Sequence, residues 1–351
     1  MKDRKAVARL GSRSAVRLTD LAQLVRAPAA LSVPGDVIAG AAAAGRPLGA
    51  RTLGVIGSSV CLYWAGMALN DYADAAVDAV ERPERPVPSG RVPRRTALAV
   101  AGGLTAAGLG LAAVAGGRRS VSVALPLAGL VWAYDLKLKS TPAGAAAMAG
   151  ARVLDVVAGA VVAAPGAGSV GGALRRVTVP AALVGAHTGT LMALSRHEIS
   201  GAAVRVPVAT LAVSAATAAA TAVPVARGDV GSAAKDRLSS AAPSWLVAPR
   251  GGAADEHSPA PLKGVAGAVS AKKLGAVVGA LAYLGTYGTA QVRAVQEPSG
   301  ENLRRAVGAG ILGLMPLQAA LTARGGAPGV AAALGVVHPL ARRLARRISP
   351  T

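Results

Sequence analysis

Charges in this chain are scarce over long stretches and then arrive in bursts, and that spacing limits the folds open to it more than any other property. Apolar runs fall at about 28–45, 52–70, 96–116, 119–134, 143–164, 177–194, 204–226, 264–291 and 303–322, with a shorter one at 327–341. A helix needs roughly 20 mostly apolar residues to cross a bilayer, and a backbone in lipid must satisfy its own hydrogen bonds. The pattern therefore predicts an all-α polytopic membrane protein with nine or ten crossings. Only 16% of residues are charged, against about a quarter in soluble domains. Mean hydropathy is +0.46. Much of the apolar content is Ala and Gly, which weakens the hydropathy of each run but suits close helix packing in a bilayer.

The formal net charge of +21 admits two readings, nucleic-acid binding or basic loops at a membrane surface. The basic residues cluster between apolar runs and are not interleaved with aromatics, which make up only 2% of the chain. That favours loops and a membrane-lipid partner over nucleic acid. With the N-terminus in the cytoplasm, three basic loops share that side: 70–95, the Lys137/Lys139 turn, and 195–205. Arg118, Arg119, Arg175 and Arg176 lie on the other side, so the asymmetry is modest. Four sections result: a basic tail (1–26), the first seven helices with the polar motifs (27–226), a Gly/Ser/Pro-rich loop (227–263), and C-terminal helices with a basic tail (264–351). The single Cys61 lies in an apolar run and has no metal-ligand spacing. The basic start lacks the short apolar core of a cleaved signal.

One polar segment stands out. In Asn70-Asp71-Tyr72-Ala73-Asp74-Ala75-Ala76-Val77-Asp78, a helix puts Asp71, Asp74 and Asp78 on one face at i, i+3 and i+7, with Asn70 one turn before Asp74. Like charges on one stripe repel. Mg²⁺ gives a reason to gather them, because it takes a few carboxylates and completes its octahedron with water and phosphate oxygens. A solvated acidic helix end is the plain alternative, but this cluster ends a membrane-grade run and is followed by Arg82, Arg85 and Arg91.

Three further features belong to the same face or the same interior. The turn Tyr134-Asp135-Leu136-Lys137-Leu138-Lys139 offers two ammonium groups for diphosphate oxygens, or simple positive-inside decoration. Arg152 and Asp155, three residues apart inside an apolar run, are either a structural ion pair or a phosphate-facing arginine with its partner. Ser195-Arg196-His197-Glu198 ends the sixth run with one carboxylate. His197 and His187 read more readily as a surface and a packed histidine than as catalysts.

At these residues the chain resembles the UbiA family of intramembrane prenyltransferases. Asn70-Asp71-x-x-Asp74-x-x-x-Asp78 is similar to the family's first aspartate-rich motif, Arg82-Pro83-Glu84-Arg85-Pro86-x-Pro88-Ser89-Gly90 to its continuation, and Tyr134 to Lys139 to its Tyr-x-x-x-Lys region. The resemblance implies about nine transmembrane helices around a central cavity open to lipid. It implies Mg²⁺-assisted ionisation of a polyprenyl diphosphate and transfer of the isoprenoid group to a hydrophobic acceptor. Carried over, Asn70, Asp71, Asp74 and Asp78 bind the metal. Asn70, Arg85, Lys137, Lys139 and Arg152 hold the diphosphate, and Asp71, Asp74 and Glu198 are catalytic. The family's second motif usually has two or more aspartates where this chain has Glu198 alone, a form that resembles the divergent UbiA-like EboC branch. A non-catalytic carrier of a lipid diphosphate therefore stays open, as does a small-solute transporter, to which the interrupted first run (Pro34, Asp36) would be suited. The setting expected is a bacterial cytoplasmic membrane with the motif loops inside. Chain length of the prenyl group, acceptor and oligomeric state are not encoded in any motif.

Overall fold

The computed structural model describes residues 16–163, 169–223 and 263–336, and those residues are helical with no strand. In order they form α1 (Leu18–Leu24), a 3₁₀ turn (Ala27–Ser32), α2 (Pro34–Ala43), α3 (Ala50–Ala73), α4 (Ala75–Glu81) and α5 (Arg94–Ala133). A π turn (Tyr134–Leu138) leads into α6 (Ala143–Ala160), α7 (Val170–Ser195) and α8 (Arg205–Ala222). After the 224–262 segment come α9 (Lys263–Tyr283), a second π turn (Leu284–Gly288), α10 (Thr289–Gln296) and α11 (Gly300–Gly325). Residues 328–336 are helical, and the rest of the expected 327–341 run lies outside the described residues. The 1–15 part of the basic tail and most of the 227–263 loop lie outside them too.

Among the described residues six helices are long and apolar enough to cross a membrane, the longest spanning Arg94–Leu138, and this is an integral membrane protein. That longest segment is not one rod. Gly117 adopts φ 60°, ψ −148°, a backbone that a residue with a Cβ resists, and the chain reverses there. Trp132 Nε1 donates to Thr105 Oγ1 at 3.1 Å, so the two legs lie side by side. The gap between the 96–116 and 119–134 runs marks this hairpin. Together with the shorter apolar Ala30–Ala43 helix, the arrangement is consistent with the expected nine crossings.

α2 is the hub. It packs on α3, α6, α7 and α11, while α3 packs along both legs of α5 and α9 packs on α11. The approach of α2 to α6 is too close for side chains: a Cβ on Gly40 would meet the Val156 carbonyl, and one on Gly159 would meet that of Val37. Without a hydrophobic drive between helices in lipid, such small-residue contacts supply the packing. A second buried layer joins α7, α8, α9 and α11, with Tyr283 and Tyr287 fully enclosed against Leu194, Leu303 and Leu317. His187 is buried here, its Nδ1 3.0 Å from Tyr283 Oη, in keeping with a packed residue.

Candidate active site

The acidic segment sits where α3 hands over to α4. Asp74 breaks the helix (φ −88°, ψ 4°), yet its N–H still bonds Asn70 O at 2.8 Å and its carbonyl accepts from Asp78 N at 2.8 Å. Helical phase therefore survives the break and keeps the acidic residues on one face. Asp71 and Asp78 are each 1% exposed. Buried carboxylates require partners, and the partners are basic. Arg26 bonds Asp71 at 3.1 Å. Arg85 reaches both Asp78 (2.6 Å) and Asp71 (3.8 Å), joining residues seven positions apart. Arg82 stands 3.5 Å from Asp78, and Lys139 is ion-paired with Asp74. Asn70 Nδ2 donates to Asp74 (3.1 Å) and Asp135 (3.4 Å).

Local structure explains each placement. The 82–92 loop folds back through Arg85 N→Arg82 O (3.1 Å), Ser89 N→Arg85 O (3.0 Å) and Val92 N→Pro86 O (2.9 Å), and this turns Arg85 toward α3. Arg91 then fastens the loop to α1: it bonds Asp20 (2.8 Å), Gln23 (2.6 Å) and the Glu84 carbonyl (2.7 Å). Leu24, Val87 and Val92 are buried with Ala68 and Leu69 beneath that strap. Arg26 follows directly, in a left-handed conformation (φ 45°) that is costly for a residue with a Cβ and places its guanidinium on Asp71. The π turn widens the end of α5 by one residue, and Asp135 is buried against Asn70 while Lys139 meets Asp74. Single π turns recur at functional sites.

The candidates thus separate. Asn70, Asp71, Asp74, Asp78, Arg85 and Lys139 converge. Lys137, two residues from Lys139, is exposed and has no ion pair among the described residues. Glu198 lies on the loop after α7 at the same end, in the fields of Arg304 and Arg82; burial raises its carboxyl above the usual glutamate range, and the two arginines oppose that rise. Arg196, beside it, bonds the carbonyls of Thr141 (2.9 Å) and Pro142 (3.4 Å) and so ties this loop to the Lys137–Lys139 turn. His197 lines a shallow groove of about 480 Å³ with Arg205, Pro298 and Ser299.

Arg152 is elsewhere. Its Nε stands 2.8 Å from Asp36, and the three-residue spacing to Asp155 is not what pairs it. Gln318 of α11 completes the group with bonds of 2.7 Å to Asp36 and to the Ser32 carbonyl. Asp155 lies instead against Ser59 of α3, roughly 18 Å along the axis from Asp71 at about 1.5 Å per residue. Two helices meeting at a glycine contact bring Asp36 to Arg152, a proximity that spacing within α6 hides. Sequence reasoning also gave no role to Arg26 or Asp135. Arg26 reads as one more basic residue of the tail, and Asp135 turns inward only because of the π turn.

The donor set suits a hard cation. Three carboxylates are oxygen donors, and Asn70 uses Nδ2 in both its bonds. Among the described residues no three or more His, Cys, Asp or Glu side chains are placed together as a metal-holding group. A cation here would need oxygens beyond the protein's, as Mg²⁺ takes from water and phosphate.

The chain is similar to known proteins over much of this region. It is 44% identical over 110 residues to a digeranylgeranylglyceryl phosphate synthase of Methanopyrus kandleri, covering 31% of this chain and 38% of that protein. It is 36% identical over 182 residues to the protein of that name from Ignicoccus hospitalis, covering 51% and 57%. The match thus spans little more than half of a curated relative's length, or less. Two solved structures share the fold: a UbiA homolog from Aeropyrum pernix K1 (TM-score 0.54, 16% identity, 88% of this chain and 97% of that one), and a structure described for digeranylgeranylglyceryl phosphate synthase in membranes (TM-score 0.54, 14% identity, 89% and 99%). Residues 33–228 match the UbiA prenyltransferase family, holding both polar motifs, and this chain belongs to that family.

Proposed function

We propose that the protein transfers an isoprenoid group from a polyprenyl diphosphate to the hydroxyl of a hydrophobic acceptor. The observation that carries this reading is the convergence of Asp71, Asp74 and Asp78 with Arg85 and Lys139 at the end of a membrane-crossing helix. Asn70, Asp71, Asp74 and Asp78 would hold Mg²⁺, which supplies neutralisation of the diphosphate charge as a Lewis acid. Arg26, Arg85 and Lys139 exchange their carboxylate partners for diphosphate oxygens, with Lys137 joining from the rim. In a water-poor site these fixed cations favour the charge that develops on the leaving group. The C1–O bond breaks with its electron pair going to the diphosphate, and the acceptor oxygen bonds to C1. The acceptor proton passes to the Glu198 carboxylate. Arg152, paired with Asp36 in the bundle interior, serves the cavity wall in this scheme and not the diphosphate.

The named relatives point to the acceptor class. A product carrying two prenyl ethers on a glyceryl phosphate is made from a glyceryl phosphate carrying one. We extend that class, a prenyl glyceryl phosphate with a free hydroxyl, to this chain. Those relatives come from archaea, so they lend no support to the bacterial membrane expected from composition. We place the motif end on the cytoplasmic side, where the positive-inside rule puts basic loops such as 70–95.

The test uses the purified full chain in lipid nanodiscs, supplied with a polyprenyl diphosphate and the monoprenyl glyceryl phosphate. Ether formation and diphosphate release should both require Mg²⁺ and stop in Asp71→Asn. Turnover that survives Asp71→Asn and Asp74→Asn overturns the mechanism. The single carboxylate of the second motif favours one rival, a carrier that binds the lipid diphosphate without cleaving it. Mg²⁺-dependent binding with no diphosphate released, whatever the acceptor, would establish that rival.

A further inference from the structure

The loop after α7 has Arg196, His197 and Glu198 where a second metal-binding motif would need several carboxylates, and its surroundings are equally basic. Arg196 donates to two neutral carbonyls, Thr141 O and Pro142 O. Arg304, at the start of α11, donates to the Glu198 carbonyl at 3.3 Å. Arg82 comes from the first motif, half-exposed, with a long 3.5 Å contact to Asp78 as its ion pair. The fields of Arg304 and Arg82 both reach the one carboxylate of this loop, Glu198, while Arg196, two residues before it, turns to the Thr141 and Pro142 carbonyls. A loop whose guanidinium groups lean on neutral carbonyls, with one carboxylate of its own, disfavours a second Mg²⁺ and favours an anion. Guanidinium groups bind phosphate through paired N–H donors. The position matters as much as the charge. Arg196 is fastened to the turn that bears Lys137 and Lys139, so the cluster borders the diphosphate site.

We infer that Arg196, Arg304 and Arg82 form a second phosphate subsite, which takes the phosphate of the acceptor in place of a second metal ion. This rests on the prenyl-transfer reading above. A glyceryl phosphate held there brings its free hydroxyl, a few bonds from the phosphorus, beside both Glu198 and the diphosphate carbon. The subsite thus selects acceptors bearing a phosphate, and a neutral alcohol of the same shape leaves Arg196 and Arg304 on neutral carbonyls alone.

Binding decides the matter without turnover. The full chain in nanodiscs of zwitterionic lipid is titrated with a monoprenyl glyceryl phosphate and with the same compound after removal of its phosphate. The wild type should prefer the phosphorylated form by roughly tenfold or more, the size expected when charge-assisted bonds are lost. Arg196→Gln and Arg304→Gln should each shrink that preference, and the double variant should erase it. No preference in the wild type, or a preference intact in the double variant, overturns the assignment. Inorganic phosphate bound as tightly as the monoether would mark a free-phosphate site and also overturn it. Should Arg196→Gln disturb the turn it holds, Arg304→Gln, which touches only the Glu198 carbonyl, decides alone. Binding of a non-hydrolysable polyprenyl thiodiphosphate, with and without Mg²⁺, reads the first site separately. Selective monoether binding without thiodiphosphate binding would leave this subsite standing and sink the transfer reading.

Discussion

At the end of α3 the carboxylates are ion-paired with cations from three segments, whereas at the end of α7 Arg196 and Arg304 lean on neutral carbonyls beside one carboxylate. The two segments border each other through Arg82 and the Arg196 contact, so the contrast falls within one site. The first segment is matched in charge within the protein. The second carries arginines without carboxylate partners of their own, Arg196 and Arg304. Under the proposed scheme the first half would serve metal and diphosphate and the second the acceptor.

The sharpest way to break the comparison is at the matched end. Asp71→Asn or Asp74→Asn should lower Mg²⁺-dependent ether formation by roughly 10²–10³-fold, the scale of losing a fixed electrostatic contact to the transition state, as read by product formation at saturating substrate. Glu198→Gln comes next, with a loss of about 10²-fold if proton removal is its role. The pH profile carries the sign. The carboxylate form is the base, and burial raises its pKa, so kcat/KM should fall on acidification from a pH above that of an ordinary glutamate. Glu198→Gln should remove that limb, and a limb that persists assigns it to another group. Arg85→Ala should raise KM for the diphosphate about tenfold and affect kcat less, since Arg85 links Asp71 and Asp78 and then meets substrate. Arg91→Ala should show the smallest effect, a few-fold in the same KM. Asp20→Ala should do likewise, and the double variant should be no worse than either single one, because both cut the strap between α1 and the Arg85 loop.

Much of this was legible in the residues themselves. Scarce charge predicted the helices, and the Gly117–Arg118 gap between two runs marked the hairpin. The spacing of Asp71, Asp74 and Asp78 predicted their shared face even though the helix breaks at Asp74. What stayed hidden depended on contacts between distant segments or on local backbone that periodicity cannot express. Asp36 finds Arg152 across a helix crossing, with Gln318 arriving from the far end of the chain. Asp135 faces inward because one extra residue is accommodated in a π turn. Arg26 reaches Asp71 through a left-handed residue at a helix start. Glu198 stood out as a lone carboxylate, but nothing in the order of residues reveals that Arg82 and Arg304, from two distant segments, come within range of it.

The cations already seated on Asp71, Asp74 and Asp78 have a thermodynamic consequence. Metal alone must displace guanidinium and ammonium groups that then have no anion to receive them. Diphosphate alone can draw those groups away only by leaving buried carboxylates bare. If both ligands bind there as proposed, each removes the obstacle to the other, and the two should bind with positive coupling. By linkage, the factor by which Mg²⁺ tightens the diphosphate must equal the factor by which the diphosphate tightens Mg²⁺. On the proposed reading, the resting ion pairs would make the site a coincidence detector, weakly responsive to either ion and strongly to both.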